Sequence, residues 1–235
     1  MQLIQTEFTI GALPAALWGK GQEEVIVAVH GNFSSKTDTP IRLLAEHAAA
    51  KGYQVLSFDL PGHGARREEG IPCKVQTCVW ELCGVLRYAR ERWKRVGLFG
   101  CSMGAYFGLL ACQGLPLERC LFLSPVVDMQ KIIEGMMAQF HVTPGRLRAE
   151  GEIPTPIGQT LYWDYYRYVS EHPVTRWDAP TAILCGSGDD MSGRGDIQAF
   201  AERFHCKLDV LEGGEHYFHT PGQLAYYEGW LKRNL

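Results

Sequence analysis

Three residue types that together perform acyl transfer stand at separate places in this chain: a serine between glycines, an aspartate and a histidine. Ser102 lies in Gly100-Cys101-Ser102-Met103-Gly104, the pattern G-x-S-x-G. A serine hydroxyl is a weak nucleophile. It needs a base to take its proton, and the base needs an acid to fix its tautomer. Asp189 follows Gly186-Ser187-Gly188, and His216 follows Gly213-Gly214-Glu215. Their order, Ser then Asp then His, is the one that accompanies a serine held on a strand-to-helix turn. Short glycine motifs also occur in ordinary turns, so the surrounding elements decide the reading.

Those elements alternate. Val96 to Phe99 is an apolar run that reads as a buried strand, and Ala105 to Cys112 reads as the helix that follows. Upstream, Leu3 to Trp18 predicts one or two antiparallel edge strands. Val25 to Val29 is a β-branched strand ending at the polar turn His30 to Ser35. Ile41, Leu44, Ala45 and Ala48 mark a helix that stops at Gly52, and Gln54 to Leu60 is the next strand, running into Asp59-Leu-Pro-Gly-His-Gly64. Val75, Val79, Leu82, Leu86 and Trp93 recur at helical spacing. Further strands are expected at 120–123, 181–185 and 208–211, with helices at 196–204 and 224–231. Such alternation predicts a mostly parallel sheet covered on both faces, with ligands at the carboxyl ends of its strands. Ser102, Asp189 and His216 all fall after strands.

Val126 to Asp178 breaks the alternation and is too long for a simple crossover. Ile132, Ile133, Met136, Met137 and Phe140 lie at helical spacing, and Tyr162 to Tyr168 is a dense aromatic run. The segment leaves the sheet beside Ser102, which predicts a helical cap over a core made of residues 1–125 and 179–235. Two peripheral helices that only thicken the core are the other reading.

Composition narrows the function classes. With 235 residues, 46% of them hydrophobic and 21% charged, the chain can bury the core of one large domain with an insertion. A net charge of −3 with no basic block makes nucleic acid and anionic membrane surfaces poor partners. No apolar run reaches the length of a membrane span. Met1-Gln-Leu-Ile-Gln-Thr-Glu lacks the features of a secretory signal, so a cytoplasmic location is expected. The eight cysteines include no C-x-x-C pair, and no histidine cluster has metal-ligand spacing. Buried free thiols are expected, with Cys73, Cys78 and Cys83 spaced along a helical stretch.

With these motifs together the chain resembles the α/β-hydrolases. His30-Gly31-Asn32, Asp59-Leu-Pro-Gly-His-Gly64, Gly100-Cys-Ser-Met-Gly104, Gly186-x-x-Asp189 and the late His216 occur in that family's order. The capped branch of monoacylglycerol lipases and small-ester or cinnamoyl-type esterases looks closest. The resemblance implies an α/β-hydrolase fold with a helical cap, no cofactor, no metal, and a small-molecule ester as substrate. It implies that Ser102 attacks the acyl carbon, that His216 serves as base and then acid, and that Asp189 orients His216. The backbone N–H groups of Met103 and Asn32 would form the oxyanion hole, with Phe33 the alternative to Asn32. Asp190 and Asp128 compete with Asp189, and His219 with His216. Phe33, Met136, Tyr162, Trp163 and Tyr166 are the candidates for contact with the acyl group. Thioester, amide or acyl-transfer chemistry would use the same triad, and a ligand-binding protein that has lost turnover would keep the fold.

Overall fold

A computed structural model describes residues 3–235. An antiparallel hairpin, β1 (Gln5–Ile10) and β2 (Leu13–Trp18), opens the chain. There follow β3 (Glu24–Val29), α1 (Thr39–Ala50), β4 (Tyr53–Phe58), α2 (Val75–Arg90), β5 (Arg95–Cys101), α3 (Met103–Ala111) and β6 (Cys120–Leu123). After the insertion the chain returns through β9 (Thr181–Gly186), α7 (Arg194–Arg203), β10 (Lys207–Leu211) and α8 (Pro221–Asn234). The eight-stranded sheet has the order β1-β2-β4-β3-β5-β6-β9-β10; every pair from β4 to β10 is parallel. This is the α/β-hydrolase fold.

The side-chain period of the strands explains the two layers. Val25, Val27 and Val29 of β3, Leu98 of β5, Phe122 of β6 and Ile183 of β9 face one core with α2, α3 and α7. Ile26, Ala28, Phe99, Leu121 and Leu184, one residue out of phase, face the other with Ile41 and Leu44 of α1 and Tyr227 and Trp230 of α8. Each fully buried aliphatic side chain contributes about 1.5–3 kcal/mol, so a one-residue slip in any of these strands is strongly disfavoured.

The sheet grows from β3 towards β4 on one side and β5 on the other, which makes the β3/β5 border its topological switch point. Gly31 and Ser102 follow these two strands. A Cβ on Gly31 would stand 3.2 Å from that of Ser102.

The insertion comprises α4 (Met129–Gln139), α5 (Pro144–Glu150), the hairpin β7 (Glu152–Pro154) and β8 (Thr160–Tyr162), and α6 (Trp163–Glu171). It forms a helical cap, yet Ile133, Met137, Leu147, Ile153, Leu161 and Val169 join the same buried cluster as α2 and α3. The small hairpin is a departure from the expected all-helical segment. Tyr162, expected in the aromatic helix, pairs with Glu152 in β8, and α6 starts one residue later. Cys73 likewise falls outside α2: Lys74 is the extended N-cap, with φ −101° and ψ 146°, so the helix cannot reach back to it. All eight cysteines are free thiols; Cys83 departs from the expected burial because it lies on the exposed face of α2.

Candidate active site

β5 ends at Ser102, which adopts φ 52° and ψ −122° as α3 begins. This conformation costs a non-glycine residue about 1–3 kcal/mol and persists only where its surroundings fix it. Here the Ser102 N–H donates to the Leu123 carbonyl at 3.0 Å, and its carbonyl accepts from Ala105 and Val126 at 3.1 Å each. The flanking glycines are required by space: a Cβ on Gly100 would collide with Ala105, and one on Gly104 with the carbonyl oxygens of Val29 and His30. Among the described residues, five non-glycine residues have positive φ. Two of them, His141 and His205, end α4 and α7 in the turn that commonly closes helices, with Val142 N–H on Met137 and Cys206 N–H on Ala201. Phe33, Ser102 and Ser124 remain, and they sit at the carboxyl ends of β3, β5 and β6. Strain is concentrated where the sequence motifs meet.

His216 bridges the other two candidates. Its Nε2 lies 2.9 Å from Ser102 Oγ, and its Nδ1 lies 2.8 Å from Asp189 Oδ2. The Asp189 side chain is almost wholly buried, and its other oxygen accepts from the N–H groups of Met191 at 2.9 Å and Ser192 at 2.8 Å. That turn fixes the carboxylate and leaves Oδ2 for the imidazole. The competing residues are engaged elsewhere. Asp190 is exposed, Asp128 caps α4 through Lys131 N–H, and His219 bonds the Tyr217 carbonyl. The glycine pair before His216 serves close packing: the Gly214 carbonyl accepts from Gly188 N–H at 2.8 Å, and a side chain on Gly186 would overlap it.

Among the described residues, no protein acceptor is found for the backbone N–H of Asn32 or Met103. The Phe33 N–H, in contrast, already donates to Asn32 Oδ1 at 3.1 Å. The Asn32 side chain thus has structural work of its own, since the same oxygen lies 3.0 Å from His63 Nε2. Sequence reasoning missed the clamp that holds these loops. Asp59, fully buried, accepts from Lys36 N–H, Lys36 Nζ and Ala65 N–H at 2.8–3.0 Å, tying the loop after β3 to the loop after β4. This buried carboxylate is foreshadowed only by its place directly after an apolar strand.

His30 is buried, with Nδ1 donating to the Gly31 carbonyl and Nε2 accepting from Leu60 N–H, a neutral tautomer. Burial pushes its pKa down to about 4. Of the candidate acyl contacts, Phe33 is 81% exposed, beside Asn32. Met136, Tyr162, Trp163 and Tyr166 are half-buried in the cap. Tyr162 lies under Lys74 Nζ, Trp163 packs on Tyr166 with ring centres 6.0 Å apart, and the Tyr166 hydroxyl donates to Glu134 of α4 at 3.0 Å.

The fold defines an α/β-hydrolase. A model of the alpha/beta hydrolase family matches residues 26–225, and the chain belongs to that family. It is similar to a Drosophila melanogaster protein described as a serine hydrolase, 30% identical over 121 residues, 48% of this chain and 34% of that one. The chain spans only 20–34% of the length of the curated relatives it matches. Among solved structures it resembles Est1E from Butyrivibrio proteoclasticus with ferulic acid bound (TM-score 0.77, 19% identity, 97% of this chain and 96% of that one). It also resembles a Pyrococcus furiosus esterase (TM-score 0.69, 21% identity, 99% and 90%). These structures share the fold, and family membership supports hydrolase-type activity in general. No helix among the described residues is long and apolar enough to cross a membrane.

Proposed function

We propose that the protein hydrolyses a small carboxylic ester through an acyl-enzyme on Ser102. The observation that carries this reading is the single imidazole, His216, within hydrogen-bond reach of both Ser102 Oγ and Asp189 Oδ2. His216 Nε2 takes the serine proton as Oγ attacks the acyl carbon, then returns it to the leaving alcohol. Asp189 holds Nδ1 protonated and stabilises the imidazolium that forms. The developing oxyanion meets the uncommitted N–H groups of Asn32 and Met103, the latter at the positive end of α3. Water then enters, and the same histidine activates it to release the acid.

The acyl group would lie between the exposed Phe33 and the cap residues Met136, Tyr162, Trp163 and Tyr166, which favours apolar or aryl acids. The ferulic acid bound to Est1E is in keeping with an aryl preference, and the helical insertion is in keeping with the capped esterase branch. A series of p-nitrophenyl esters of rising acyl length, with an aryl ester included, tests the reading. A burst of nitrophenol equal to the enzyme concentration, followed by slower turnover, is the expected result. No turnover across the whole series would overturn it.

A further inference from the structure

A second group of reactive side chains gathers at the start of α2. The sulfurs of Cys73 and Cys78 stand 3.5 Å apart. Cys73 precedes the N-cap Lys74, and Cys78 is the fourth helical residue, the two positions whose side chains meet across a helix entry. Helix geometry therefore fixes the pair. Cys78 is fully buried and Cys73 partly so.

His63 completes the group, and its protonation can be read from its partners. Nδ1 lies 2.8 Å from the Pro61 carbonyl, and Nε2 lies 3.0 Å from Asn32 Oδ1. Carbonyl oxygens only accept. The Asn32 amide cannot be turned around, because Phe33 N–H donates to that same oxygen. Both nitrogens of His63 must donate, so the ring is an imidazolium, unlike neutral His30 only 5.3 Å away. A buried cation needs an anion nearby. Asp59 is saturated by Lys36 and Ala65, Glu81 is taken by both terminal nitrogens of Arg66 at 2.7 and 2.9 Å, and Asp164 is held by Lys74. The remaining partner is the sulfur of Cys73. Its hydrogen bond with Cys78, and then the nearby His63, hold it below the ordinary thiol range against burial; burial keeps Cys78 a thiol. Burial works against the charge on His63, but the nearby Cys73 and the bond with Pro61 raise it. The start of α2 has no side-chain cap, and its free N–H groups favour a thiolate.

We propose that Cys73 and Cys78 are a peroxide-sensitive dithiol whose closure to a disulfide releases the oxyanion loop through His63. The Cys73 thiolate attacks one oxygen of hydrogen peroxide; the O–O bond breaks, leaving a sulfenic acid and hydroxide. The hydroxide takes a proton from the His63 imidazolium and becomes water. The Cys78 sulfur then attacks the sulfenic sulfur, the S–O bond breaks, and the departing oxygen leaves as water with the Cys78 proton. The two sulfurs lose two electrons and the peroxide gains them. The sulfurs close by about 1.5 Å to reach bonding distance. Neutral His63 can then donate to Pro61 or to Asn32 but not to both, so the bond that steadies Asn32 weakens.

The dithiol chemistry stands by itself; its effect on turnover rests on the hydrolase reading above. The experiment treats the reduced full chain with stoichiometric hydrogen peroxide and follows three readouts. In peptide mass spectra, Cys73 and Cys78 should lose two hydrogens together and regain them with dithiothreitol; in the Cys78→Ser variant, Cys73 should instead stop at a dimedone-reactive sulfenic acid. Alkylation of Cys73 by iodoacetamide should have its pH midpoint below the ordinary thiol value of about 8.5. In ¹H–¹⁵N spectra, the Phe33 amide and Asn32 side-chain signals should shift on oxidation and return on reduction, while kcat for an ester falls roughly tenfold with little change in KM. An ordinary alkylation midpoint, no Cys73–Cys78 linkage, or a linkage that leaves Phe33 and Asn32 signals and kcat unmoved would overturn the proposal. Linkage and spectral shifts in a protein that turns over no ester would uphold the switch and remove the hydrolase reading.

Discussion

The carboxyl edge of the sheet and the cap are held in place by different means. At the edge, position is set by backbone: Ser102 is fixed by three main-chain bonds and by glycines on both sides, and Asp189 by two N–H groups of its own turn. The cap is fastened by side chains. Lys74 Nζ meets both oxygens of Asp164 at 2.9 and 3.0 Å, Gln76 adds a third bond, and Tyr166 reaches Glu134. Backbone placement tolerates almost no substitution, because a side chain added at Gly100 or Gly104 meets main-chain atoms. Side-chain fastening, partly exposed as here, allows the cap to vary in shape without disturbing the backbone-set edge of the sheet.

Substitutions at each region test that contrast. The largest effect belongs to Ser102→Ala, which should lower ester kcat by about 10⁶ while the melting temperature stays close to wild type. Steady-state kinetics beside a melting curve decide it. Asp189→Asn should cost about 10⁴ in kcat by favouring the wrong imidazole tautomer, whereas Asp190→Asn, at an exposed carboxylate, should change nothing measurable. Equal losses for both would break the distinction between a backbone-fixed carboxylate and its neighbour. Gly104→Ala drives a methyl group into two carbonyl oxygens and should destabilise the fold by about 3 kcal/mol, read as a fall in denaturation midpoint. In the cap, Trp163→Ala should raise KM for aryl and long-chain esters about tenfold more than for acetate, with a modest loss of stability. A steep fall in melting temperature with unchanged chain-length preference would make the cap an extension of the core. The smallest effect is expected for Lys74→Met, which removes a partly exposed ion pair worth roughly 0.5–1 kcal/mol.

The fold was legible because the strands advertise both their burial and their faces. Val25 to Val29 reads as a strand from its β-branched run, and the structure divides its alternate residues between two cores. The candidate site was legible for a related reason: Ser102, Asp189 and His216 each follow such a run, and a parallel sheet gathers strand ends on one edge. What depended on irregular backbone was not legible. Tyr162 shares the helical spacing of its neighbours, yet pairing with Glu152 draws it into a strand. The seating of Asp59 and the meeting of His63 with Asn32 pass through loops, where spacing carries no geometry. The Cys73–Cys78 contact could have been found, since a cysteine just before a helix and another five residues on occupy the two staple positions.

The central claim is that Ser102 is a nucleophile activated by His216. Mass spectrometry of the protein after treatment with a fluorophosphonate measures this most directly. The account predicts one phosphonyl group per chain, on the peptide carrying Ser102, with labelling slowed by orders of magnitude in His216→Ala. No adduct on Ser102, or an adduct that forms equally fast without His216, would contradict it.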